Sequence, residues 1–173
     1  KQKAKITIFD QKKAPELGEA YEKFKKRGLN FKLGPDSLKK LPEGEFSFIF
    51  RSPGFRRFLP EILAAEKRGT KISSATKLFF ELCQGKIIGV TGTKGKGTTA
   101  TLIYQILKTD GKDVFLAGNI GQPMLALLPK LKPTSWVVLE LSSFQLQDME
   151  KGPRIAVVLF ITCEHLDYHK DKD

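Results

Sequence analysis

The chain has 173 residues, a hydrophobic fraction of 40% and a formal net charge of +11 at pH 7. This composition supports a packed core, and no apolar run reaches the roughly 20 residues that a membrane-spanning helix needs. The basic residues are scattered, without zinc-finger spacing or an aromatic RNA-binding motif, which argues against nucleic acid as a partner. The lysine-rich start lacks the apolar segment of a secretion signal. Cys83 and Cys163 lack metal-ligand spacing, so we expect structural thiols in a reducing cytoplasm.

Strands and helices alternate along the first half of the chain. A strand at 6–9 leads into a helix that Pro15 opens and Gly28 closes. The further elements expected here are strands at 29–33, 46–50 and 71–73 and helices at 60–68 and 75–82. The alternation predicts a parallel sheet with helices on its faces. Gln84-Gly85 is typical of a junction, and we place a domain boundary near residue 85.

The second half repeats the alternation. Its expected elements are strands at 86–91, 114–117, 136–139 and 155–161 and helices at 98–108 and about 123–128. The apolar residues of the first of these helices share one face: Leu102, Ile103, Ile106 and Leu107.

A glycine-rich loop between the strand at 86–91 and the following helix suits a polyphosphate. Its residues are Gly92, Thr93, Lys94, Gly95, Lys96, Gly97, Thr98 and Thr99. Glycines let several backbone N–H groups turn inward, and the helix N-terminus adds its positive dipole end. Lys96 would contact the outer phosphates, and a following hydroxyl would reach a magnesium ion.

The loop departs from the usual GxxxxGK[ST] pattern at two places. Val90 stands at the position of the first glycine, and Gly97 follows the lysine, so that the first hydroxyl after it is Thr98. The alternative is a glycine-rich turn that binds nothing. The density of glycine, lysine and threonine favours phosphate binding.

Polar residues also follow the three later strands: Asn119, then Glu140 with Ser142 and Ser143, then His165 with Asp167. Because ligands bind beyond the carboxyl ends of parallel strands, we expect these side chains to meet at one edge. Glu140 is placed as a magnesium ligand. Alone, Glu140 could equally be a cap or a salt-bridge partner, His165 a packing residue and Asn119 a left-handed turn residue.

Four segments together resemble the ordered motifs of the Mur ligase family: 91–96, 118–121, 139–146 and 165–167. The Glu-Leu-Ser-Ser-Phe-Gln run at 140–145 is the most specific, and it is similar to the branch that adds D-glutamate. Asp10-Gln11-Lys12 and Ser52-Pro53-Gly54 resemble that branch's uridine-nucleotide-binding domain.

The resemblance implies an ATP-dependent ligase of peptidoglycan synthesis that joins D-glutamate to UDP-N-acetylmuramoyl-L-alanine through an acyl phosphate. It implies an incomplete Rossmann-like domain at 1–85, an incomplete P-loop-type domain at 86–173 and an absent C-terminal domain, and hence a fragment that is inactive alone. Implied cofactors are ATP, held by residues 92–99, and Mg²⁺, held by Thr98, Glu140 and His165. Implied catalytic residues are Lys96, Glu140 and His165. Implied substrate-binding residues are Asp10, Gln11, Lys12, Ser52, Pro53, Gly54, Asn119, Ser142, Ser143, Phe144 and Gln145.

Some positions differ from the family pattern. Gly97 after the lysine resembles the related folylpolyglutamate synthases, while Phe160 and Glu164 replace an asparagine and an aspartate near the histidine motif. Two alternatives therefore stay open: a folylpolyglutamate-type ligase, and a P-loop nucleotide-binding module without ligase activity.

Overall fold

The computed structural model describes residues 4–147 and 149–162. The described chain divides into two compact units. One unit contains residues 4–48 and 58–71, and the other contains residues 49–57 and the described residues from 72 onward. The domain boundary near residue 85 stays a prediction.

The first unit begins with a parallel pair of strands. Strand β1 (Thr7–Asp10) pairs with β2 (Asn30–Leu33) in a register that sets Thr7 opposite Asn30. Between the two strands the predicted single helix is broken into α1 (Ala14–Leu17) and α2 (Glu19–Lys25). The break lies at Gly18, whose φ of 53° and ψ of −131° no helix accommodates.

The elements up to residue 85 agree in type with the predictions, although some of them are shorter. They are β3 (Phe48–Arg51), α3 (Pro60–Lys67), β4 (Lys71–Ser74) and α4 (Ala75–Leu82). Strands β3 and β4 form a two-stranded sheet of their own. The Ser74 Oγ caps α4 by accepting a hydrogen bond from the Lys77 N–H at 3.1 Å.

The second unit is built around a four-stranded sheet with the order β6-β7-β5-β8. Its strands are β5 (Lys86–Thr91), β6 (Val114–Gly118), β7 (Trp136–Glu140) and β8 (Ile155–Val158). Every neighbouring pair is parallel. All four strands therefore end at the same edge of the sheet, which is where ligands bind in open α/β folds.

Helix α5 (Lys96–Thr109) is the longest described helix, and it packs on one face of this sheet. It contacts the buried Ile88, Val90 and Val138 through Ala100, Ile103, Tyr104 and Leu107. The predicted helix face was partly wrong, because Leu102 and Ile106 are exposed. The residues at positions 100, 103, 104 and 107 form the apolar stripe of the helix that packs against the sheet.

The opposite face of the sheet is covered by α4 and by α6 (Met124–Leu127), with Phe79, Leu127, Val137 and Leu139 fully buried between them. A last short helix, α7 (Ser143–Leu146), follows β7. The sequence did not predict it.

The mixed α/β fold with parallel sheets is confirmed. Within the described residues, no helix has the length and apolar character to cross a membrane. Burial raises the pKa of the Cys83 thiol, and its Sγ lies 3.7 Å from the Gly85 carbonyl oxygen, as expected for a structural cysteine. Cys163 lies outside the described residues.

Candidate nucleotide-binding site

The loop from Gly92 to Gly95 connects β5 to α5 and depends on two glycines with positive φ. Gly95, at +83°, caps the helix in the left-handed region. Gly92 has a φ of +136°, and a Cβ there would lie 2.7 Å from the Leu159 Cβ. Only glycine meets both the backbone conformation and the space at position 92.

Lys96 closes the loop from its other end. Its Nζ donates to the Gly92 carbonyl oxygen at 2.8 Å and to the Thr93 carbonyl oxygen at 3.0 Å. An ammonium group has three N–H donors, and in the described part of the chain Nζ has no third acceptor. The lysine therefore shapes the loop and keeps a donor for a ligand oxygen.

Backbone donors collect at the start of α5. The first backbone hydrogen bond there runs from the Thr99 N–H to the Gly95 carbonyl oxygen. The N–H groups of Lys96, Gly97 and Thr98 have no partner within the helix, as is usual for a first turn. Together with the lysine they form a positive surface suited to phosphate oxygens.

The first half of the loop is tied to the chain that follows β8. The Thr93 N–H donates to the Phe160 carbonyl oxygen at 3.0 Å, and the Thr93 Oγ1 accepts from the Thr162 N–H at 2.9 Å. The Leu159 N–H donates to the Thr91 carbonyl oxygen at 2.9 Å. The N–H of Thr93, predicted to face a phosphate, is therefore used within the protein.

Removing this hydroxyl should loosen the loop selectively. We expect Thr93→Val to speed hydrogen exchange at the Thr162 amide and to lower the free energy of unfolding by about 1 kcal/mol, the usual net contribution of one hydrogen bond. Thr93→Ser keeps the acceptor and is the control. Equal exchange rates at Thr162 in the two variants would show that the bond does not hold the loop.

Glu140 ends β7 beside the loop, with its backbone fixed on both sides. The Asn119 N–H donates to the Glu140 carbonyl oxygen, and the Leu141 N–H donates to the Val90 carbonyl oxygen. The residue is 5% exposed, and its carboxylate has no hydrogen bond or ion pair to any described residue. A carboxylate on a largely buried residue, without a partner in the described protein, is suited to act as a ligand for a cation.

The turn from Gly118 to Gly121 brings Asn119 to the same edge. Gly118 has a φ of +105°, and a Cβ there would lie 2.1 Å from the Glu140 carbonyl oxygen. Ile120 lies near the start of α5, since a Cβ built on Gly97 would lie 3.9 Å from the Ile120 Cδ1. The Asn119 side chain is exposed at this turn.

Ser142 and Gln145 have a structural role that the sequence analysis missed. They form the capping box of α7, in which Gln145 Oε1 accepts from the Ser142 N–H at 2.9 Å and Ser142 Oγ accepts from the Gln145 N–H at 3.4 Å. The Ser-x-x-Gln spacing was the signal for this helix. Gln145 is buried, whereas Ser143 is exposed.

Arg51, at the end of β3, was also given no role by the sequence. It is buried, and its guanidinium donates to the carbonyl oxygens of Ser52, Pro53, Phe55 and Phe144. It therefore joins the exposed Ser52-Pro53-Gly54 turn to α7, and these are two of the segments predicted to bind substrate. In the sequence, the feature that could have indicated this role is a charged residue between an apolar strand and a Ser-Pro-Gly turn.

The predicted residues Asp10, Gln11 and Lys12 form a turn in the first unit. The Asp10 Oδ1 accepts from the Lys12 N–H at 2.8 Å, and the Gly34 N–H donates to the Asp10 and Lys12 carbonyl oxygens. Gln11 and Lys12 are exposed. The turn lies where β1 ends, and its role toward uridine stays a prediction.

The structure thus gathers the glycine-rich loop, Asn119 and Glu140 at one edge of the four-stranded sheet. His165 and Asp167, predicted to join them, lie outside the described residues. The roles of all these residues remain predictions, but their common placement is observed.

The chain is similar to known proteins over nearly its whole length. Residues 90–173 match the Mur ligase middle domain. The UDP-N-acetylmuramoylalanine--D-glutamate ligase of Acetivibrio thermocellus is 46% identical over 170 residues, which cover 98% of this chain and 36% of the relative. The chain is thus similar to Mur ligases, in its second half by the family model and over nearly its whole length by this relative.

A second relative within the Mur ligase family carries the same name. It comes from Clostridium tetani and is 41% identical over 170 residues, covering 98% of this chain and 37% of the relative. The chain thus spans little more than a third of the length of these relatives.

Among solved structures, UDP-N-acetylmuramate:L-alanyl-gamma-D-glutamyl-meso-diaminopimelate ligase from Neisseria meningitides has a TM-score of 0.49 and 19% identity. The match covers 95% of this chain and 55% of that one.

Proposed function

We propose that this chain is part of an ATP-dependent ligase that joins D-glutamate to UDP-N-acetylmuramoyl-L-alanine in peptidoglycan synthesis, a reaction of the cytoplasm. The observation that carries the proposal is the meeting of the glycine-rich loop, Asn119 and Glu140 at one sheet edge. The names of relatives that are 46% and 41% identical support the same reaction.

The site fits ATP with Mg²⁺. Lys96 keeps one ammonium proton for a ligand oxygen, and the first turn of α5 presents backbone N–H groups beside it. Glu140, a largely buried residue, offers a carboxylate at the adjacent strand end. Magnesium in phosphoryl-transfer sites commonly takes one or two carboxylates and otherwise phosphate and water oxygens, so a larger acidic cluster is unnecessary.

Bound ATP with Mg²⁺ would supply the phosphoryl group that activates the substrate carboxylate as an acyl phosphate. Lys96 would hold the outer phosphates, while Glu140 and the Thr98 hydroxyl would hold the metal. Asn119, Ser142 and Ser143 would orient the muramoyl-alanine part of the substrate. Such a reaction depends on positioning and on charge neutralisation more than on acid–base groups of the protein.

Calorimetric titration of this polypeptide tests the proposal. We expect saturable binding of UDP-N-acetylmuramoyl-L-alanine as well as of ATP with Mg²⁺, and no binding of a pterin substrate. ATP binding without uridine-substrate binding would point instead to a general nucleotide-binding module, and pterin binding would point to a folylpolyglutamate-type ligase.

Glu140→Gln tests the metal role separately. We expect the gain in ATP affinity that Mg²⁺ gives the wild type to fall by about tenfold, because a neutral amide is a weaker ligand for a hard cation. Glu81→Gln, at an exposed position of α4, is the control. An unchanged Mg²⁺ dependence in Glu140→Gln would remove this residue from the metal site.

A further inference from the structure

Arg51 links two segments that are distant in sequence. Its Nη1 donates to the carbonyl oxygens of Ser52 at 3.3 Å and Pro53 at 3.5 Å, and more closely to that of Phe55. Its Nη2 donates to the Phe144 carbonyl oxygen at 3.3 Å, in α7. One buried guanidinium therefore fixes the turn after β3 and the helix after β7 relative to each other.

These hydrogen bonds also set the direction of the N–H groups in the turn. No peptide bond in the described chain is cis, and a trans peptide places its C=O and N–H on opposite sides. Because the Pro53 and Phe55 carbonyls point toward Arg51, the N–H groups of Gly54 and Arg56 point away from it. Neither N–H has a backbone acceptor in the described residues, and both residues are exposed.

Outward N–H groups of this kind suit the oxygens of an anionic ligand. The Phe144 end of the linkage lies in the Ser142–Gln145 segment, which is predicted to contact the same substrate. The two segments that are predicted to bind substrate are thus both hydrogen-bonded to Arg51.

We propose that Arg51 is a positioning residue for the nucleotide-sugar substrate: it holds the turn at residues 52–56 with its N–H groups outward and at a fixed distance from α7. The inference rests on the proposed function and extends it. Arg51 acts through the backbone of both segments and does not itself contact the substrate.

The geometry requires arginine rather than lysine. A guanidinium carries donors on two terminal nitrogens in a rigid fork, so it reaches the turn and Phe144 at once. A lysine has a single terminal nitrogen. It could therefore donate hydrogen bonds to the carbonyl oxygens of the turn or to that of Phe144, but not to both. Arg51→Lys therefore keeps the charge while breaking the linkage.

The experiment is calorimetric titration of the wild type, Arg51→Lys and Arg51→Met with two ligands, UDP-N-acetylmuramoyl-L-alanine and ATP with Mg²⁺. We expect both variants to bind the uridine substrate at least about tenfold more weakly and ATP within about twofold of the wild type. Arg68→Met, at the exposed end of α3, is the control and should match the wild type for both ligands.

Hydrogen exchange on the wild type gives a test that needs no variant. We expect the uridine substrate to slow exchange at the Gly54 and Arg56 amides about tenfold. Unchanged exchange at both amides under saturating substrate overturns the proposal, even if the Arg51 variants fail to fold.

The remaining outcomes are distinct. Equal weakening for both ligands would mean that Arg51 only stabilises the fold, and unchanged uridine-substrate affinity would mean that the linkage is irrelevant to binding. Either result overturns the inference and leaves the proposed function standing. A wild type that binds ATP but not the uridine substrate overturns both.

Discussion

Lys96→Ala is expected to weaken ATP binding by about 100-fold or more, which corresponds to about 2.7 kcal/mol. Two effects add. The phosphates lose a charge-assisted hydrogen bond, and the Gly92 and Thr93 carbonyl oxygens lose the Nζ donor that holds the loop in shape. Calorimetric titration with ATP and Mg²⁺ measures the loss.

Two controls distinguish the specific role of Lys96 in the loop from a general effect of positive charge on ATP affinity. Lys108→Ala removes the same charge from the exposed far end of α5 and should leave ATP affinity within about twofold. Circular dichroism should show a folded Lys96→Ala protein, since the sheet core does not include this side chain. A folded variant with wild-type ATP affinity would contradict the assignment of the loop.

Gly118→Ala should be the most destabilising single substitution considered in this chain. The new Cβ would lie 2.1 Å from the Glu140 carbonyl oxygen and 2.9 Å from the Glu140 nitrogen. Both atoms belong to a central strand, so the clash cannot be relieved by a side-chain rotation. The φ of +105° adds backbone strain. We expect a loss of about 4 kcal/mol or more in the free energy of unfolding, a large part of a domain's stability.

Gly111→Ala is the matched control for this prediction. Its φ of +72° is also positive, but a Cβ there meets nothing within 4 Å. Gly111→Ala should therefore lower the free energy of unfolding only through the strain of the positive φ, by about 1–2 kcal/mol. Urea denaturation of both variants measures the difference, and similar losses in the two proteins would show that the contact with Glu140 is not rigid.

Much of the second unit could be predicted from the sequence, because the signals there are local. The apolar run at 86–91 and the glycines after it define a strand, a loop and a helix start, and the structure places β5 at the predicted residues. The common edge for Asn119 and Glu140 followed from the parallel alternation alone.

Other features depended on contacts that a linear pattern does not contain. Four apolar positions of α5 were compatible with more than one buried face, and the sheet covers Ile103 and Leu107 while leaving Leu102 and Ile106 exposed. The sequence predicts one continuous helix after residue 14. A glycine within a helical pattern does not by itself indicate the conformation that Gly18 adopts.

Side-chain roles were the hardest to predict. The family resemblance predicts substrate contacts for Ser142 and Gln145, although their spacing also indicates a capping box. Arg51 acts on Phe144, 93 residues away, and only the folded chain brings a buried guanidinium to those carbonyls.

The tie between Thr93 and the chain after β8 constrains how the loop can respond to a ligand. Hydrogen bonds in which the backbone N–H groups of Leu159, Thr93 and Thr162 donate connect residues 91–93 to residues 159–162, and further bonds join the Thr93 hydroxyl to Thr162. A shift of Thr93 must either break its bonds to Phe160 and Thr162 or carry these two residues with it. If a ligand displaces the loop, we therefore expect residues 159–162, which follow β8, to move together with residues 91–93.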